Sequence, residues 1–188
     1  TAVVVETEEE TSEVQKQEPE EDTEDPQNED NMTQSETGAE TEITKILTAA
    51  NAQETADTTL GIDVAKYQGT IDWTEVAASG IDFVMVRVGY RTQNSGEIVA
   101  DTNAKYNMQE ATANGLKIGA YFFSTAISEE EAIEEARWVA DYISQYQITY
   151  PVAYNCEGFQ NPENRQYTLT KTERTDFAIA FLNEIYGQ

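Results

Sequence analysis

Residues 81–90 read IDFVMVRVGY, and the middle of that stretch sets the reading of the whole chain. A strand with one wet face alternates apolar and polar residues. Phe83 to Val88 is apolar at both parities except for Arg87, the pattern of a strand covered on both faces in a parallel sheet. Its valine content suits a strand better than a buried helix.

The flanks repeat the theme. Upstream, TLGIDVA (59–65) reads as a short strand and IDWTEVAASG (71–80) as a short helix closed by Gly80. Downstream, DTNAKYNMQEATANG (101–115) reads as a helix ending at Asn-Gly, and LKIGAYFFS (116–124) as a strand. A helix over 128–146 begins at Ser128, with Glu131 three residues on as a capping box. YPVAYN (150–155) is a fourth strand, and 169–187 a fourth helix with Thr170 as its cap. Successive strand–helix pairs predict an α/β fold with a parallel sheet and right-handed crossovers. Two architectures fit: a doubly wound open sheet, or part of a (β/α) barrel. A complete barrel takes about 250 residues, so the barrel reading implies a chain that stops after about four units.

Residues 1–59 are unlike the rest. They hold 18 Asp and Glu, two Lys and no aromatic residue, within a chain of formal charge −25. Such a stretch cannot bury enough apolar surface to offset its ordering entropy, and it reads as a disordered acidic linker. One marginal helix is conceivable over 41–56. Residues 60–188 form the folded domain, with 18 acids, nine bases and every Trp, Tyr and Phe. The acidic tract 6–30 repels nucleic acid and anionic lipid, so neither is an expected partner. TAVVV at the start is too short for a signal peptide or a membrane span. It could be the outer edge of a removed membrane anchor.

In either architecture the working edge is the carboxyl end of the strands. The strands deliver Asp63, then Arg87 and Tyr90, then Tyr121 and Phe123, then Asn155 and Glu157; Tyr67 lies in the loop after the first strand. Asn155 and Glu157 share a face by strand alternation, and Cys156 points the other way as a small buried hydrophobe. Carboxylates, an amide and aromatic rings on one rim suit a sugar cleft, with rings stacking on pyranose faces and carboxylates moving protons. Glu157 as a hydrated strand end and Asp63 as a turn cap are the plain alternatives. Tyr67 and Tyr90 could equally be rim packing, and Arg87 suits a partner for buried acids better than a substrate contact. Trp73 reads as a core anchor. The chain has no His, which removes Ser-His-Asp and Cys-His chemistry. DVAKYQG after the first strand has a single glycine, so a phosphate loop is absent.

The stretches GIDVAKYQGTIDW, AASGIDFVMVRVGY, NMQEATANGLKIGAYFFSTAIS, EAIEEARWVADYI and YPVAYNCEGF, taken together, resemble glycoside hydrolase family 25, the bacterial and phage muramidase lysozymes. The resemblance runs from Gly61 to Tyr186 and leaves out the acidic segment. It implies a modified TIM-type barrel that cleaves the β-1,4 bond between N-acetylmuramic acid and N-acetylglucosamine. It implies Glu157 as catalytic acid/base, Asp63 as the acid after the first strand and Tyr121 as the aromatic residue ending the third. Tyr67, Tyr90, Phe123 and Arg87 become candidate substrate contacts. No metal or organic cofactor is implied. The implied setting is extracellular or cell-surface, the partner peptidoglycan glycan strands and the state monomeric. Asn155 departs from the Asp of most relatives. An amide can accept the hydrogen bond of a substrate acetamide but cannot balance positive charge. A catalytically impaired peptidoglycan-binding module is therefore the alternative, and glucose-polymer hydrolysis a third reading.

Overall fold

The structure, a computed structural model, describes the backbone of Val3–Val5 and residues 59–187. The acidic tract 6–30 and the marginal helix over 41–56 lie outside the described residues. In chain order the elements are β1 (Val3–Val5), β2 (Gly61–Val64), a 3-10 turn (Lys66–Gln68), α1 (Trp73–Ala78), β3 (Phe83–Arg91) and β4 (Ile98–Ala100). There follow α2 (Ala104–Ala113), β5 (Lys117–Phe123), α3 (Glu129–Ile143), β6 (Val152–Asn155) and α4 (Lys171–Gly187). Each expected strand–helix pair is present. Within the stretch expected to be a linker, Val3–Val5 is a short strand that pairs in parallel with β6. β4 is a second element that the sequence pattern did not announce.

Side by side the strands run β1, β6, β5, β3, β2, all parallel, with β4 antiparallel on β3. From β2 through β3 and β5 to β6 the order never reverses. Among β2, β3, β5 and β6 there is therefore no switch point of the doubly wound kind, and right-handed crossovers put the helices between them on one face. The ring contacts agree: Phe122 meets Trp138 of α3, and Tyr154 meets Phe181 of α4, at centroid separations of 5.8 and 5.1 Å. Val84, Val86, Ile118, Phe122 and Tyr154 are fully enclosed between sheet and helices. Each such large side chain stabilises the fold by roughly 1.5–3 kcal/mol. Trp73 is also buried, as a core anchor should be.

The helix starts follow capping chemistry. The Asp72 carboxylate accepts the Thr74 and Glu75 N–H groups at 3.0 and 3.1 Å. Thr170 and Glu173 form a reciprocal box. At Ser128 only one arm is as expected: its hydroxyl accepts Glu131 N–H, while the Glu131 carboxylate reaches one residue further back to Ile127 N–H.

The opposite face of the sheet carries the site, and a fault in β3 shapes it. Register places Asp63 beside Met85, Met85 beside Gly119, and Arg87 beside Tyr121. After Arg87 the register shifts, so that Gly89 stands beside Phe122 and Tyr90 beside Phe123. Paired residues share a face. The bulge thus turns Gly89 to the helices and returns Tyr90 to the face of Arg87. At the amino end of this face Gly61 lies under Phe83 and Gly119 under Met85, with no room for a Cβ at either glycine. Phe83 also stacks on Tyr150 at 4.2 Å, which leaves the carboxyl end as the working edge.

Candidate active site

β6 ends at Asn155, and the chain turns through Gly158 at a φ of 70°. Asn155 is buried and Glu157 half-buried, and the Asn155 amide donates to the Glu157 carboxylate at 3.3 Å. Cys156 points away and is enclosed, its thiol donating to the Gln166 side-chain amide oxygen Oε1 at 3.4 Å. Strand alternation thus brought the amide and the acid together as expected. Asn164 supports the turn by donating to the Glu157 main-chain carbonyl at 3.5 Å and accepting the Gln166 N–H at 2.8 Å.

Tyr121 stands one strand over, nearly buried. Burial pushes its phenol well above the ordinary range, Arg87 pulls it down, and Asp63, Asp101 and Glu157 push it up again. Tyr121 is therefore a neutral hydroxyl, able to donate a hydrogen bond, in the field of both candidate carboxylates. Asp63 itself is exposed on β2. Tyr67 is half-buried in the 3-10 turn, and Tyr90 is nearly buried behind it. Phe123 is fully enclosed, so it contributes shape rather than an open stacking face.

Arg87 departs from the role of substrate contact. Its side chain is 0 % exposed and pairs with Asp101, also 0 % exposed, with Nε and Nη2 at 2.9 and 2.8 Å from the same Oδ2. The guanidinium lies 5.1 Å from the Tyr67 ring centroid and 5.3 Å from that of Tyr90. The Lys66 ammonium is 5.4 Å from both rings. Two cations thus lie within cation–π range of both rings beside the strand ends.

Asp101 was not among the residues singled out in the sequence, where it reads as the first residue of a helix. A signal existed. An arginine in the middle of a strand covered on both faces requires a buried acid, because an unpaired charge there is prohibitive. Asp101 is the acid that follows β3 and β4 and precedes α2.

Carboxylates, an amide and tyrosines thus gather at the carboxyl edge of a parallel sheet wound in one direction. The chain belongs to glycosyl hydrolases family 25, whose description matches residues 62–188. Uncharacterized protein YegX of Escherichia coli K12 is 31% identical over 98 residues, 52% of this chain and 35% of that protein. Among solved structures, the modular autolysin LytC of Streptococcus pneumoniae, in complex with a synthetic peptidoglycan ligand, is 21% identical with a TM-score of 0.60. That match covers 71% of this chain and 31% of LytC. The spore cortex lytic enzyme SleM of Clostridium perfringens is 20% identical at a TM-score of 0.60, over 72% of this chain and 42% of SleM. The chain spans about a third of the length of YegX and of LytC.

Proposed function

We propose that the protein is a peptidoglycan hydrolase, an N-acetylmuramidase that cleaves the β-1,4 bond between N-acetylmuramic acid and N-acetylglucosamine. Family membership sets the reaction class. The observation that carries the rest is the Asn155–Glu157 pair beside the neutral Tyr121 hydroxyl. Glu157 acts as general acid/base, Asp63 as electrostatic partner and Asn155 as the group that orients the substrate 2-acetamido function, with Tyr121 donating a hydrogen bond to sugar or acetamide. Oxocarbenium-like charge forms in the transition state of such reactions, and carboxylates on the rim stabilise it. In this reading residues 60–188 form the stretch of barrel wall that carries the site, the acidic tract 6–30 belongs to a spacer, and the enzyme acts outside the cell or at its surface.

The second reading is a peptidoglycan-binding module that does not cut. Asn155 favours it, because its amide adds no negative charge and already donates to Glu157. Digestion of purified peptidoglycan by the full-length protein, followed by borohydride reduction and mass spectrometry, separates the two. New muramitol ends that vanish in Glu157→Gln support hydrolysis. Intact glycan with measurable binding makes the protein a binding module.

Asn155→Asp tests the site further. A second carboxylate next to Glu157 repels its charged form and keeps the general acid protonated to higher pH, so the alkaline limb of the pH–rate profile should move to higher pH. A limb that stays in place breaks the proposed coupling. A gain of about a hundredfold or more, the size of a whole acid–base contribution, would mark the natural site as decayed.

A further inference from the structure

The rim loop 65–69 carries Tyr67 across the end of β2. Within the loop, Gln68 accepts the Ala65 N–H at 2.7 Å, and Gly69 N–H reaches the Lys66 carbonyl at 3.1 Å. Residues 101–103 tie it to the rest of the fold. Asp101 Oδ2 accepts the Lys66 N–H at 2.9 Å, and the Asn103 amide donates to the Gly69 and Lys66 carbonyls at 2.8 and 3.4 Å. Asn103 occupies the N-cap position of α2, yet its side chain makes no capping bond and turns to the loop instead.

Asp101 is itself anchored. Its N–H donates to the Val88 carbonyl at 3.0 Å, at the bulge of β3, and its Oδ1 accepts the Asn103 N–H at 2.9 Å. Its remaining oxygen holds Lys66 and Arg87 together, and these two cations flank the rings of Tyr67 and Tyr90. We propose that Asp101, with Asn103, is a positioning residue for glycan binding, fixing the rim loop so that the half-buried Tyr67 presents its ring to the sugar, with the enclosed Tyr90 as backing. This rests on the reading of the site as a glycan cleft. Asp101 has no exposed side-chain surface, so it acts through the loop and through Arg87, never by touching sugar.

A plain structural role for the same residues would fasten α2 to β3 and lower stability alone. The two are separated by steady-state kinetics on solubilised peptidoglycan strands, with thermal midpoints recorded alongside. In the full-length protein, Asn103→Ala should raise KM about tenfold with kcat within about twofold, since the Tyr67 ring binds ground and transition states alike. Asp101→Asn should raise KM further. In a Tyr67→Ala background, Asn103→Ala should add nothing to KM, because the residue it positions is already gone.

If Asp101→Asn does not fold, the Asn103 and Tyr67 cycle decides alone. Unchanged KM in Asn103→Ala overturns the inference, as does a KM increase that persists in full without Tyr67. A wild-type protein that neither cleaves nor binds peptidoglycan overturns the glycan reading and this inference with it. A wild type that cleaves normally while the cycle is additive overturns the inference alone.

Discussion

Two arginines four positions apart on β3 meet opposite fates. Arg87 faces the site and shares one fully enclosed carboxylate, Asp101, with the rim loop. Arg91, beyond the bulge, faces the helices and is surrounded by acids of α3. It lies 2.7 Å from Glu135 and from Glu134 and 4.0 Å from Glu131, and also donates to the Gly96 carbonyl and the Glu131 main-chain carbonyl. Glu131 in turn holds Arg165, whose guanidinium reaches the Thr125 carbonyl and so ties the loop after Glu157 to α3. One arginine pairs with a carboxylate sealed in the interior. The other also holds an enclosed carboxylate, Glu135, but within a network that reaches water through Glu134. What a charge costs when its partner is removed depends on that difference.

The largest effect belongs to Arg87. Arg87→Met strands the Asp101 carboxylate in the interior, and losing one member of a buried pair costs about 3–5 kcal/mol. Denaturant unfolding should show that loss in full. Arg91→Met should cost less, about 1–3 kcal/mol near neutral pH, because Glu131 keeps Arg165, Glu134 keeps its exposure to water, and the enclosed Glu135, whose carboxyl burial pushes up to about 7, can take up a proton. Equal losses would break the comparison.

Next comes the bulge that separates the two environments. Gly89 faces α3, and a Cβ there would come within 2.7 Å of the Trp138 ring and of the Val99 carbonyl oxygen. Gly89→Ala should therefore cost about 1–3 kcal/mol through overpacking. It should also lower activity by disturbing Tyr90, the next residue. An unchanged thermal midpoint would mean that Trp138 swings aside freely.

The contrast between the arginines also shows what a sequence can disclose. The four main strands and their helices were legible because apolar runs, caps and Gly stops are local signals. Asn155 and Glu157 came out as neighbours because strand alternation is local too. The bulge was not legible: nothing in FVMVRVGY marks a shift of register, and strict alternation of side chains would send Tyr90 to the helices. Nor was β4 legible, since Ile98–Ala100 is three residues whose pairing depends on where β2 stops. Asp101 stood 14 positions from Arg87, and no periodicity links such a pair. Val3–Val5 lay ahead of an acidic tract whose composition dominated its reading. The missed features are all contacts made across the chain after the elements have docked.

A smaller effect sharpens the Arg91 side. Burial pushes the Glu135 carboxyl up to about 7, with Ser124 and Arg91 opposing and Glu131 adding to the rise. The folded value lies above the unfolded one. Its contribution to stability is therefore full below about 4.5 and is lost as pH rises through about 7. The loss across that window is on the order of 3 kcal/mol at most, since a tenfold change in proton affinity is worth about 1.4 kcal/mol. Glu135→Gln cannot titrate. Its unfolding free energy should vary less between about pH 5 and about pH 8 than that of the natural protein. Matching slopes in the two proteins would show that the Arg91 pair holds Glu135 ionised throughout.

The smallest effect calibrates the rest. Arg137 of α3 pairs with Glu184 of α4 at 2.9 Å, a distance that hardly differs from those at Arg87 and Arg91. Its side chain, however, is 67% exposed. Water solvates both charges once the pair is broken, so nothing is stranded when one is removed. Arg137→Ala should change stability by no more than about 0.5 kcal/mol, less still at high salt. If it instead matched Arg91→Met, distance would matter more than burial, and the ranking of the three arginines would have to be rebuilt around helix–helix docking.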